Sequence, residues 1–206
     1  MTRVFKPDSG QTLEIQDEGG SAALTIETDG DIQIANNIDT GTIGASVVFP
    51  AGGTGNPISV AIICDQKSDG VNGGGSTLGS FETRALNTTL SDPDSIVTIS
   101  SDQFILGAGT YHIYFQSPNY QGNASKAALN DITGSAILTF STNIHSGSGD
   151  AVSLIASGSF IHSPSSSNTY EIRQRVEATK AANGWGTACG FGVAEIYTLV
   201  IISKLK

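Results

Sequence analysis

Apolar and polar positions alternate along most of this chain with a period of two. Short runs of β-branched and aromatic residues are cut by clusters of Gly, Asn, Asp, Ser and Pro. The alternation predicts strands over residues 46–49, 58–65, 81–87, 96–100, 109–116, 126–130, 136–143, 151–161, 169–178 and 188–203. Turn chemistry separates them at Gly70–Gly75, Asp92-Pro93-Asp94, Gly107-Ala108-Gly109, Ser146–Gly149, Ser163–Asn168 and Asn183-Gly184. No stretch carries helical spacing. Short strands at this regular interval predict an all-β sandwich or closed barrel and argue against a parallel α/β sheet.

The first 44 residues follow another pattern. Leu13-Glu14-Ile15, Leu24-Thr25-Ile26 and Ile32-Gln33-Ile34 are apolar-polar-apolar triplets, with acidic, Gly-rich turns between them. Asp8, Glu14, Asp17, Glu18, Glu27, Asp29, Asp31 and Asp39 stand there against Arg3 and Lys6, so this stretch carries −6 of the net −9. Strands this short bury too little apolar surface to offset their own ordering entropy. Two arrangements meet that difficulty: a β-structured stem that shares a core with two identical copies, or a small sheet packed on the body of its own chain. The expected division is an acidic N-terminal stem and attachment segment over 1–44 and a head domain over 45–206, with residues 36–44 as the junction.

The last predicted strand is apolar or aromatic on both faces from Ile196 to Ile202. A strand of that kind needs an apolar layer on each side. A threefold axis would supply the second layer, and so would a central position inside one protomer. The first alternative makes Tyr197, Leu199, Val200 and Ile202 the expected trimer contacts.

Four segments carry a specific order. Gly109-Thr110-Tyr111-His112-Ile113 is followed by Leu129-Asn130, then by Tyr170-Glu171-Ile172-Arg173-Gln174-Arg175, and finally by the aromatic and apolar strand from Glu195 to Leu205. This order resembles the trimeric jelly-roll heads of the TNF and complement-globular-head superfamily, in the version found in bacteriophage fibre and appendage proteins. The resemblance spans roughly residues 45–206. Two departures stand out: the Gly-rich segment 65–75, and the lack of a collagen-like repeat ahead of the head. It implies a TNF-like, homotrimeric jelly-roll head on a short stem. Its implied role is a virion structural protein, a short tail fibre or spike that attaches by its N-terminus and presents the head for host-surface adhesion. A trimeric capsid decoration or head-fibre protein is the alternative. The implied partners are further copies of the chain, other virion proteins (tail, portal or capsid) through residues 1–44, and a host surface glycan or protein. The implied location is the virion surface, after assembly in a host cytoplasm.

Composition narrows the function classes. Few charges (14%), 25 glycines and a net charge of −9 give a polar, weakly charged, acidic protein. Nucleic acid is not an expected partner, because counterion release needs a basic face. Membrane insertion is not expected either, since the longest apolar run, Leu199–Ile202, is far too short to span a bilayer. No apolar core segment follows Met1, so no signal peptide is expected. The thiols of Cys64 and Cys189 are expected to be reduced.

Catalytic signatures are missing. There is no nucleophile elbow, phosphate loop, H-E-x-x-H pair or C-x-x-C. His112, His145 and His162 have no metal-ligand spacing, and Asp92 and Asp94 flank a proline as turn residues do. The acidic turns at Asp29-Gly30-Asp31 and Asp65 to Asp69 offer hard oxygens, too few in either place to coordinate calcium alone. No catalytic residue, resident metal or cofactor is expected, and the chain is not expected to be an enzyme. Trp185 and Tyr120 sit near loops, where core packing competes with a role as ligand platforms.

Overall fold

The computed structural model describes residues 58–147, 149 and 151–205, together with the backbone of three short strands nearer the N-terminus. Two compact units divide the chain, Met1–Gly53 and Thr54–Lys206. In the first, β1 (Leu13–Gln16), β2 (Ala22–Ile26) and β3 (Ile32–Ile34) form a three-stranded antiparallel meander. The apolar triplets pair with one another: Leu13 stands opposite Ile26, and Leu24 opposite Ile34. The strand expected over 46–49 and the turn Asp29-Gly30-Asp31 lie outside the described residues.

The second unit contains β4 (Ser59–Lys67), β5 (Glu82–Thr83), β6 (Thr88–Ser91), β7 (Val97–Ser100) and β8 (Gln103–Leu106). It continues with β9 (Tyr111–Tyr120), β10 (Ala124–Asp131), β11 (Ala136–Phe140), β12 (Ile144–His145) and β13 (Ser153–His162), and ends with β14 (Asn168–Val176) and β15 (Glu195–Lys204). No helix occurs among the described residues. One sheet runs β13-β9-β15-β4-β6. The other runs β11-β10-β14-β8-β7, with β12 on β10 and β5 on β14. Every ladder between these strands is antiparallel, and the long connections cross from one sheet to the other. The last strand therefore closes between β4, the first of this unit, and β9. That is a jelly-roll sandwich.

Alternate side chains of each strand point into the sandwich. Ala61, Ile63, Ile113, Phe115, Ala156, Val200 and Ile202 come from the five-stranded sheet. Phe104, Leu106, Ala127, Leu129, Tyr170 and Ile172 meet them from the other, all of them fully buried. Phe104 and Tyr170 stack with ring centroids 5.4 Å apart. The motif segments fall on β9, β10, β14 and β15, in both sheets.

Towards one end the interior turns polar. Ser117 Oγ donates to Gln174 Oε1 at 2.5 Å, and Gln174 Nε2 donates to Ser125 Oγ at 2.9 Å. Arg84 is wholly buried there. Its Nε donates to Thr198 Oγ1 at 3.1 Å, its Nη2 donates to the Trp185 carbonyl at 3.2 Å, and its guanidinium lies 4.2 Å from the Trp185 ring. Burial lowers its pKa to about 9, against the opposing influence of Asp65 and Glu82, so it stays charged at neutral pH. Carbonyl, hydroxyl and ring together offset part of the cost of burying this cation. Trp185 is thereby an interior partner of Arg84. Tyr120, half-buried, donates its backbone N–H to the Gly184 carbonyl at 2.9 Å.

Two loops close this end. Glu195 Oε1 accepts from the backbone N–H groups of Gly190 (2.8 Å), Cys189 (3.0 Å) and Gly70 (3.3 Å), and these bonds hold its pKa below the ordinary value. The Tyr197 hydroxyl donates to the Val71 carbonyl at 2.7 Å; burial, reinforced by Glu195 and Asp65, pushes its pKa up to about 12. The strand expected over 188–203 therefore begins only at Glu195, because 189–193 is a loop in which Gly190 (φ +67°) and Gly192 (φ +79°) adopt left-handed backbone.

Candidate functional site

Among the described residues, no three His, Cys, Asp or Glu side chains come together as a metal cluster. The histidines are scattered. His112 lies on the open face of β9, His145 on the short strand β12, and His162 Nε2 stands 3.7 Å from Asp131 Oδ2. Asp65 is buried against Lys67 Nζ (3.0 Å) and Asn87 Nδ2 (3.1 Å), whereas Asp69 accepts from the Gly192 N–H at 2.9 Å. These two carboxylates are thus spent on separate structural tasks. Cys64 is buried and Cys189 exposed, and neither is bridged.

The four residues singled out on β15 are not on one face. Val200 and Ile202 point into the sandwich and are fully buried, which corrects their expected place at a subunit contact. Tyr197 is also buried, 8% exposed, with its hydroxyl on the Val71 carbonyl. Leu199 alone of the four lies on the outer side of the sheet, half-buried, and Ile201 is its neighbour there. The apolar character of both faces has two causes: one face fills the core between the sheets, and the other is open.

Register defines that open face row by row. Ser159, Tyr114, Ile201, Ile62 and Ser91 stand abreast across the five strands. Ser157, Gln116, Leu199, Cys64 and Thr88 form the next row, in which Cys64 is fully covered. Ile161, His112, Ser203 and Val60 form a third. None of these positions is Asp, Glu, Lys or Arg. Ile161 is 59% exposed and Val60 36%. Gln116 Nε2 donates to the Tyr114 hydroxyl at 2.7 Å, tying together two polar groups in the middle of the face.

The opposite face of the sandwich differs in kind. Lys126, Arg173, Arg175, Glu171 and Asn130 project from β10 and β14, and Asn130 Nδ2 donates to Glu171 Oε1 at 2.9 Å. Beside them lies an open groove of about 840 Å³ over β10, β12 and the end of β14, bounded by Leu78, Phe81, Phe140, Asn143 and His145. Phe81 and Phe140 sit with ring centroids 6.0 Å apart. Sequence reasoning missed this groove, because residues 78–81, 126, 140–145 and 175 meet only in the folded chain.

No family model and no curated protein matches this sequence. Among solved structures, the globular domain of zebrafish complement 1qA is similar over 73% of this chain and 98% of its own, at 12% identity and a TM-score of 0.48. Murine APRIL is similar over 72% of this chain and 100% of its own, at 9% identity and a TM-score of 0.48. Eiger TNF from S. frugiperda is similar over 73% and 94%, at 12% identity and a TM-score of 0.46. The assignment of the jelly roll rests on the strand order and register described above.

Proposed function

We propose that this chain is a non-enzymatic recognition module that assembles as a homotrimer through the open face of its five-stranded sheet. The observation that carries the reading is the charge-free row structure centred on Tyr114, Ile201 and Ile62, set against a charged opposite face. A surface without ionised groups desolvates at little cost, so copies of an acidic chain approach one another best there. Threefold assembly is the arrangement implied by the motif order on β9, β10, β14 and β15.

In its finer form, the proposal is a bacteriophage virion protein: a short fibre or spike that attaches through residues 1–44 and presents the head to a host surface. Three weak sites per trimer would then act together through avidity. The division of the chain into an acidic N-terminal unit and a sandwich with a core of its own supports this division of labour. A capsid decoration protein is the second form, supported by the same two-part organisation. Sedimentation velocity at micromolar concentration tests the assembly, with an expected mass three times that of the 21.2 kDa chain. A monomer overturns it. Labelling virions with antibody raised against residues 54–206 tests the location: decoration of a tail supports the fibre, decoration of shell sites the capsid form, and no label on any particle overturns both.

A further inference from the structure

Lys126 and Arg175 stand directly opposite each other on the paired strands β10 and β14. Like charges in that position repel and weaken the sheet. Neither side chain has a carboxylate partner among the described residues: Lys126 Nζ lies over the Phe140 ring at 5.2 Å, and the exposed Arg175 guanidinium makes no hydrogen bond or ion pair among them. Glu177, the one acid lining the groove, is ion-paired with neither cation; its Oε2 accepts from Asn123 Nδ2 at 2.5 Å and from the Ala124 N–H at 3.3 Å. A chain with a net charge of −9 that keeps two unpaired cations side by side in a groove has built a local site for an anion.

The chemistry beside the cations narrows the anion further. Phe140 is 47% exposed and tilts against Phe81, giving a flat apolar wall next to the charges, with the Asn143 amide beyond it. An extended peptide binds a sheet by adding to a free edge. Here the floor strand β10 is already paired on both sides, with β14 and with β11 and β12, so the floor itself offers no open ladder, and the free edge of this sheet lies beyond it on β11. A pyranose ring offers what the remaining side chains can use: an electropositive C–H face for an aromatic ring, hydroxyls for an amide, and an acidic substituent for Lys and Arg.

We propose that this groove binds an acidic saccharide, with its carboxylate or sulfate held between Lys126 and Arg175 and its ring resting on Phe140. The proposal rests on the recognition reading above only for avidity; the single site is complete within one protomer.

The test is a glycan array probed with the full chain. It carries galacturonate, glucuronate, sialylated and sulfated oligosaccharides beside their neutral counterparts, with a tetraglutamate peptide on the same surface. The best hit is then titrated by calorimetry. The expected result is binding to at least one acidic glycan, with its neutral counterpart weaker by about tenfold or more, the loss of one charge-assisted contact. Lys126→Gln with Arg175→Gln should abolish that preference, and Phe140→Ala should weaken acidic and neutral forms alike. Raising the salt concentration should weaken the wild type and leave the double variant unmoved. Equal binding of neutral and acidic glycans, binding of none, or tetraglutamate outcompeting every glycan would each overturn the proposal. Sedimentation of the same samples keeps the two readings apart: a monomer that still binds acidic glycan refutes the assembly alone, and a trimer that binds none refutes the groove alone.

Discussion

Two adjacent residues of β15 separate folding from assembly, because the pleat sends Val200 into the core and Ile201 to the open face. Val200 is fully buried between the sheets. Val200→Asp removes apolar burial worth about 2 kcal/mol and leaves an unpaired carboxylate inside, at a further cost of several kcal/mol. That sum rivals the whole stability of an ordinary domain, about 5–15 kcal/mol. Soluble folded protein should be lost, or its melting temperature should fall by about 10 °C or more. Ile201 is half-exposed in the protomer, between Ile62 and Tyr114, so Ile201→Asp should cost the isolated fold about 1 kcal/mol or less. In a trimer the same change brings three carboxylates together out of water, at several kcal/mol each. A micromolar association is worth only about 8 kcal/mol. The Ile201→Asp protein should therefore be a folded monomer. Circular dichroism melts and sedimentation velocity on both variants make the comparison. A trimeric Ile201→Asp protein, or a folded Val200→Asp protein with a wild-type melt, would refute the assignment of the two faces.

Glu195 should make the loop-closed end acid-sensitive. Its pKa is lowered on folding, so its contribution is complete above the ordinary value of 4.5 and disappears as pH falls through the lower folded value. Glu195→Gln should melt earlier at neutral pH and lose less on acidification, followed by thermal melts between pH 7 and pH 2. Gly75 packs against the Ala181 backbone, where an added Cβ would overlap the carbonyl; Gly75→Ala should part the bridge between Ser76 and Lys180 and lower the melting temperature by about 3–10 °C. Cys189 is exposed, whereas Cys64 is buried with its pKa raised by desolvation and by Asp65. Alkylation of the native protein followed by mass spectrometry should label Cys189 first and Cys64 only after denaturation. Equal labelling would show that the region around Cys64 opens readily.

The alternation of apolar residues was enough to specify an all-β chain, because a period of two has one structural meaning when Gly, Asn and Pro break it this often. The three N-terminal triplets were legible as strands for the same reason. The hairpin between β7 and β8 was not. Its two-residue turn is Ser101-Asp102, both at positive φ, where the familiar signal would be Asn-Gly, so Gln103–Leu106 is not among the strands expected from the sequence. The end of the chain shows the sharper limit. Sequence established that Ile196–Ile202 is apolar on both sides, but alternation alone cannot say which side meets the protomer's own second sheet. Register and layering decided that, by placing Val200 and Ile202 in the core that Phe104, Leu106 and Leu129 fill from the second sheet and leaving Leu199 and Ile201 on the outer side. The groove lay further from sequence still. Lys126 and Arg175 are 49 positions apart, and only the β10–β14 pairing sets them face to face. A run of residues carries its own periodicity, whereas a site drawn from three strands and a loop comes into being only when long-range pairing brings them to one surface.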